Sequence, residues 1–253
     1  MFDLSAFAVI AGVFLLAGAV KGVIGLGLPT VSLGLLTVVR DLPTAMALLL
    51  IPSLVTNFWQ ALAGGNALAI AARLWPFLLM ATVTVWLGAM ALSRVHLELL
   101  SGLLGGLLIA YSVLNLTAVR ATIALRHERL SGVFFGMANG VLTGMTGSFV
   151  VPGVMFLQAI GLPRDMLIQA MGMLFTVSTL ALALALESHG FLNQQSGLAS
   201  AAAVLPAALG MLAGQHVRQR LSENRFRQLF LIAILLLGIW IMVKSAAQYA
   251  GVY

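Results

Sequence analysis

Lys21 stands inside a long apolar stretch and is followed within eight residues by Gly22, Gly25, Gly27 and Pro29. A charge at mid-membrane depth costs at least about 2.5–3.5 kcal/mol, so such a residue faces a cavity, a partner or a nearby surface. A second run of helix breakers follows about 120 residues later. Gly18, Gly22, Gly25 and Pro29 are spaced four, three and four apart; Gly140, Gly144, Gly147 and Pro152 are spaced four, three and five apart. A break inside hydrocarbon frees backbone N–H groups, which must then face protein or a water-filled cavity. The helix that restarts offers free donors and about half a positive charge at its N-terminus, which suits an anion. The predicted chemistry is reversible anion binding, with the site between two similar halves.

Each residue of these runs has a reason to be there. Pro29 and Pro152 suit the first turn of a returning helix, where a missing N–H costs nothing. Gly25, Gly27, Gly144 and Gly147 permit left-handed backbone and close ligand approach. Thr146 and Ser148 can donate hydroxyl hydrogen bonds beside the second break. Thr143 occupies the place of Lys21 in the second run, so the paired site carries one charge. Thr56, Asn57, Gln60, Gln169 and Thr176 lie in the apolar helices that follow the breaks. They can line a polar path or bond helix to helix. The four-residue spacing of Gly18, Gly22, Gly140 and Gly144 also suits tight helix packing. The predicted substrate-binding set is therefore Lys21, Gly25, Gly27, Pro29, Thr56, Asn57, Gln60, Thr143, Thr146, Gly147, Ser148, Pro152, Gln169 and Thr176.

The elements that must carry these residues are membrane helices. Of 253 residues 61% are hydrophobic and 8% charged, and the mean hydropathy is +1.08. A soluble protein of this length could not hide that much apolar surface. Apolar segments run over 4–20, 28–39, 43–63, 74–92 and 97–119, then over 131–147, 149–162, 166–186, 196–216 and 228–247. The segments 28–39 and 149–162 are too short to span about 30 Å as straight helices. The fold class is an all-α polytopic membrane protein with two repeats, each holding a Gly/Pro-broken helix and a re-entrant or half-length helix. About eight long helices are expected. The repeats are assigned to 1–119 and 131–253, joined by a cytoplasmic linker over 120–130.

Loop charges choose the number of passes. If each short piece returns across the membrane, Arg73, Arg120, Arg126, Arg129, Arg164, Arg218, Arg220, Arg225 and Arg227 share one face, and Arg40, Arg94 and Lys244 share the other. Nine against three is a positive-inside bias. Counting each broken unit as one pass gives five against seven, which is no bias. Five passes per half make the repeats inverted and place both termini outside the cytoplasm. The leader Met1-Phe2-Asp3 carries no base, unlike a cleaved signal peptide.

Other functions are disfavoured on specific grounds. The net charge of +6 sits in short loops, where it orients the chain and does not mark a nucleic-acid surface. There is no cysteine, and His96, His127, His189 and His216 lack metal-ligand spacing, so no metal or cofactor is expected. No Walker A sequence is present, so ATP is not the direct energy source. All seven acids lie in or beside loops, which argues against a buried carboxylate relay. The alternatives are an intramembrane hydrolase with Ser148 as nucleophile and His189 as base, or an anion channel or uniporter of the same fold.

The stretches GAVKGVIGLGLP, residues 18–29, and NGVLTGMTGSFVVP, residues 139–152, resemble the TauE/SafE sulfite exporter family, also called the toluenesulfonate uptake permease group. The Leu42-Pro43 and Leu162-Pro163 helix starts that follow them share the resemblance, which covers about residues 5–245. It implies a small carrier, an exporter rather than an enzyme, for sulfite, organosulfonates or related anions, working by alternating access. Its partners would be that anion and the bilayer of a plasma or bacterial inner membrane. A homo-oligomer is left open.

Overall fold

The computed structural model describes residues 4–117, 122–218 and 223–251. Arg120, Arg220 and part of the predicted 120–130 linker lie outside them. Among the described residues the regular structure is helical. The helices are α1 (Leu4–Ile24), α2 (Leu28–Val39), α3 (Leu42–Leu62), α4 (Ala67–Val83), α5 (Val85–Ala89), α6 (Leu97–Leu116), α7 (Leu125–Thr146), α8 (Gly153–Ala159), α9 (Arg164–Ser188), α10 (Gln194–Ala202), α11 (Val204–Arg218) and α12 (Glu223–Tyr249). A 3-10 turn, Met90–Ser93, continues α5.

Seven helical spans among the described residues are long and apolar enough to cross a membrane. α4 with α5 and the 3-10 turn make one of them, and α10 with α11 another. α7 is as long, at 22 residues, but opens with Arg126, Glu128 and Arg129. Large apolar side chains such as Leu68, Trp59 and Leu205 are exposed, as lipid-facing residues should be. The expectation of half-length helices holds: α2 has 12 residues and α8 has 7, about 18 Å and 11 Å. The expected start of the fourth helix is corrected. It begins at Ala67, so Arg73 lies within α4 and not in a loop.

The chain forms two compact units that cut across the sequence halves. The first gathers residues through Pro52, the stretch from Val95 through α6, and the described chain from Phe191 onward. The second gathers Ser53–Arg94 and the described chain up to Gly190, including α7, α8 and α9.

In the first unit α1 packs in parallel on α11 through small residues. Gly18 lies against Ala207 and Gly22 against Met211, while Gly210 and Gly214 meet Leu15 and Ala19. A side chain at any of these glycines would run into the facing backbone. α6 and α12 pair antiparallel: Gly102 faces Ser245, Gly105 faces Gly238 and Met242, and Asn115 accepts from Arg227 at 3.2 Å. These are the last helices of the two halves, and their opposed directions are those of an inverted duplication. α2 runs parallel to α12. Gly27 lies by Phe230, Gly34 by Leu237, and Lys244 Nζ donates to the Val38 carbonyl at 2.8 Å. The seven-residue stripe Phe230, Leu237, Lys244 thus supports α2 along its length. Pro52 cannot donate within α3, and Ser200 repairs the gap. Its hydroxyl donates to the Leu48 carbonyl at 2.8 Å and accepts from the Ile51 N–H at 3.1 Å.

The second unit repeats the first pattern. α7 packs in parallel on α4 and α5, with Gly136 against Phe77, Gly140 against Thr84 and Ala81, and Gly144 against Val85 and Ala89. α1 and α7 open their respective halves, and each packs on the fourth span of the other half. Phe156 of α8 stacks with Phe77 and Phe135, at centroid distances of 4.7 Å and 5.6 Å. Phe149 and Phe175 pack 5.9 Å apart.

Candidate anion-binding site

Both breaks close in the same way. The Gly25 N–H donates to the Lys21 carbonyl at 2.8 Å, and the Gly147 N–H donates to the Thr143 carbonyl at 2.7 Å. Gly25 has φ 78° and Gly147 has φ 73°, left-handed values that a side chain would strain. Lys21 and Thr143 therefore hold equivalent places, each four residues before a left-handed glycine that ends a full-length helix. The runs do not stop the helix where they begin. Gly18 and Gly22 lie inside α1, and Gly140 and Gly144 inside α7. Their role is packing; Gly144, expected to be left-handed, is helical.

At the first break Gly27 caps α2 with φ 114°. A side chain there would meet Val20 at 3.0 Å and Phe230 at 3.4 Å. Gly27 is thus required by backbone and packing. Pro29 lies in the first turn of α2, as expected, and no side chain caps that helix. The first bond from α2 back into the break is Val31 N–H to the Gly27 carbonyl, at 2.8 Å. The Lys21 side chain is 5% exposed, so it does not run along the lipid-facing surface.

The second break is held by its own side chains. Thr143 Oγ1 donates to the Ser148 carbonyl at 3.0 Å, and the Ser148 N–H donates to Thr146 Oγ1 at 3.2 Å. Thr146 Oγ1 also donates to the Leu142 carbonyl at 2.7 Å. Asn139 Oδ1 accepts from the Gly153 N–H at 3.0 Å and so satisfies the start of α8. Asn139 Nδ2 is buried with no partner among the described residues. Pro152 caps α8 one position earlier than expected, after a cis Val151–Pro152 peptide.

The polar residues expected downstream divide. Gln60 Nε2 donates to the Ile168 carbonyl at 2.8 Å, and Gln169 Nε2 to the Ala61 carbonyl at 2.8 Å. Gln169 Oε1 accepts from the Asn66 N–H at 3.0 Å. Both glutamines join α3 to α9. Thr176 bonds within α9, to the Gly172 carbonyl at 2.7 Å. Thr56 and Asn57 are buried, with Thr56 Oγ1 3.4 Å from the Ser53 carbonyl. Among the described residues no hydrogen bond joins Ser148 to a histidine; the His189 ring contacts the Ala185 carbonyl at 2.8 Å and Ser188 Oγ at 3.2 Å.

One buried carboxylate, beside a loop as expected, corrects the expectation that no carboxylate is buried. Glu128, in the first turn of α7, is 6% exposed and binds Arg73 of α4 through two contacts of 2.7 Å. Arg73 also donates to the Ile160 carbonyl at 3.3 Å, so the pair ties α4, α7 and the end of α8 together.

Sequence reasoning missed Thr30. It is 4% exposed, in the first turn of α2, and its hydroxyl has no partner among the described residues. The signal was present as a polar residue directly after Gly27-Leu28-Pro29. Among known families, the model described as Sulfite exporter TauE/SafE matches residues 10–241, nearly the whole chain. Comparison with curated proteins and with solved structures found no match.

Proposed function

The chain belongs to the TauE/SafE sulfite exporter family, and from that premise we propose that it is a secondary transporter carrying small sulfur-containing anions, such as sulfite or organosulfonates, out of the cell. The family is one of membrane transporters, and the chain is multi-pass. The observation that carries the finer reading is the pair of equivalent breaks. In each, a full-length helix ends on a left-handed glycine and a short helix restarts beside it. A restarted helix can present backbone donors to an anion, and α2, which no side chain caps, is the one of the two that offers them. Alternating access about these elements is the mechanism we favour. The host is a bacterial inner membrane, with both termini extracytoplasmic. A negative interior potential favours exit of an anion by about 2.3 kcal/mol per charge per 100 mV, so export needs no ATP.

The test is uptake and counterflow in proteoliposomes, across sulfite, methanesulfonate, sulfate and chloride, with pH and voltage imposed separately. Saturable counterflow of a sulfur anion is the expected result. Flux of chloride alone, or none of the panel, sinks the reading.

A further inference from the structure

We propose that the cavity at the shared end of α2, α6 and α12 binds the headgroup of phosphatidylethanolamine, with Lys244 on the phosphate and Glu98 on the ammonium. The inference goes beyond the transport reading and stands independently of it.

The cavity measures about 410 Å³ and lies within the first unit. Val39 of α2, Glu98 of α6, and Lys244 and Gln248 of α12 line it, together with Arg40 and Asp41. Its depth in the membrane follows from the helix ends. α2 stops at Val39, α6 starts at Leu97 and α12 stops at Tyr249. The His96 ring, just before α6, meets the Tyr249 ring edge-on at a centroid distance of 5.8 Å, so the ends of α6 and α12 are level. Tyr249 is exposed, and amphipathic rings of this kind sit at headgroup depth.

Two opposite charges line this space without pairing with each other. The Lys244 ammonium is fixed by one hydrogen bond, to the Val38 carbonyl at 2.8 Å, which leaves two of its three donors. The Glu98 carboxylate, in the first turn of α6, makes no hydrogen bond or ion pair among the described residues. Asp41 is engaged elsewhere: it accepts from the Thr44 N–H and from the Thr44 hydroxyl, each at 2.9 Å. Arg40 adds a second cation to the wall. An ammonium donor and a carboxylate acceptor held apart in one cavity fit a ligand that carries both charges.

The order of the two charges selects a lipid over a soluble zwitterion. α6 and α12 are antiparallel, with Gly102 facing Ser245. Glu98 stands one turn beyond Gly102, so its backbone lies roughly 6 Å closer to the water than that of Lys244. Side chains lean toward the N-terminus of their own helix, which tips Glu98 outward and Lys244 inward. The bond made by Lys244 agrees: Gly34 lies by Leu237, so Val38 is level with Ile241, deeper than Lys244 itself. In a bilayer the phosphate of phosphatidylethanolamine joins the glycerol on the inner side, and the ammonium points to water. The cavity has the same polarity. A soluble zwitterion has no such preferred direction. Trp240 and Val243, beside Lys244 on α12, are exposed and give the acyl chains an apolar surface.

The test is native mass spectrometry of the purified full chain in detergent, titrated with phosphatidylethanolamine, phosphatidylcholine and phosphatidylglycerol of the same acyl chains. Wild type should bind the ethanolamine lipid at least about tenfold more tightly than the choline lipid, whose nitrogen has no N–H, and than the glycerol lipid, which has no cation. Glu98→Gln should lose most of the preference over the choline lipid. The lost carboxylate makes no hydrogen bond among the described residues, so the melting temperature should not fall. Lys244→Gln should weaken the ethanolamine and choline lipids alike by about tenfold, and Lys244→Arg should recover part of that. Glycerophosphoethanolamine, the same headgroup without acyl chains, should displace the ethanolamine lipid only at concentrations about a hundredfold higher. Displacement at equal concentrations assigns the cavity to a soluble zwitterion and overturns the lipid reading. Equal affinity for the three lipids, or a preference unchanged in Glu98→Gln, overturns the inference and leaves the transport reading untouched.

Discussion

Gln60 and Gln169 each donate an amide hydrogen bond to a backbone carbonyl on the other's helix, at 2.8 Å in both directions. The two side chains form a reciprocal clamp between the end of α3 and the start of α9. Gly172 lets the backbones meet, since a side chain there would lie 2.7 Å from the Ala61 nitrogen. The clamp predicts a stability phenotype and not a binding one. Gln169→Leu should destabilise by about 1–3 kcal/mol, because it orphans both the Ala61 carbonyl and the Asn66 N–H. Gln60→Leu orphans one carbonyl and should cost less. Thermal melts in detergent, paired with anion affinity, check this. A lower affinity at unchanged melting temperature would return these residues to the substrate path.

Lys21 is the charge that the transport reading asks most of. Lys21→Ala should weaken methanesulfonate binding by about 1.5–3 kcal/mol, roughly ten- to hundredfold, and Lys21→Arg should retain part of it. Titration of the purified variants decides the matter. An unchanged dissociation constant in Lys21→Ala takes Lys21 out of the site.

The glycine stripes should be intolerant of the smallest side chain. Gly22→Ala would push a methyl into the Met211 carbonyl, and Gly144→Ala into the Val85 carbonyl. Both should sharply reduce the yield of folded protein. Gly106→Ala, where no atom lies within 4 Å, should be neutral or slightly stabilising. Fluorescence-detected size exclusion of the three variants gives the comparison.

Breaking the Arg73–Glu128 pair should destabilise the second unit. Glu128→Gln leaves a half-buried guanidinium without its carboxylate, at a cost of about 1–3 kcal/mol after allowance for the exposure of Arg73. The double variant Arg73→Met/Glu128→Leu should recover much of the loss. Equal melting temperatures for wild type and Glu128→Gln would show that the pair contributes nothing.

Orientation can be read with single cysteines, since the chain has none of its own. Cysteines at Ser5 and Gln248 should react with an impermeant thiol reagent in intact cells. A cysteine at Gln219, a position outside the described residues, should react only after lysis. Labelling of position 219 from outside would reverse the proposed topology.

The sequence alone determined the class, the two breaks and the half-length helices. Hydropathy, glycine φ preference and the missing N–H of proline are local properties, readable wherever the residues stand. The equivalence of Lys21 and Thr143 was legible for the same reason, being four residues before matching glycines. Which helix meets which was not. α1 packs on α11 and α7 on α4 and α5, an exchange that no single half encodes. Nor could the sequence say which polar residues were already satisfied. Gln60 and Gln169 found backbone carbonyls on a neighbouring helix, and Glu128 found Arg73 fifty-five residues away. Thr30 is buried with no hydrogen-bond partner for its hydroxyl among the described residues. A buried amide or hydroxyl has the same sequence signature whether its partner is protein or ligand, and only the packed structure distinguishes them.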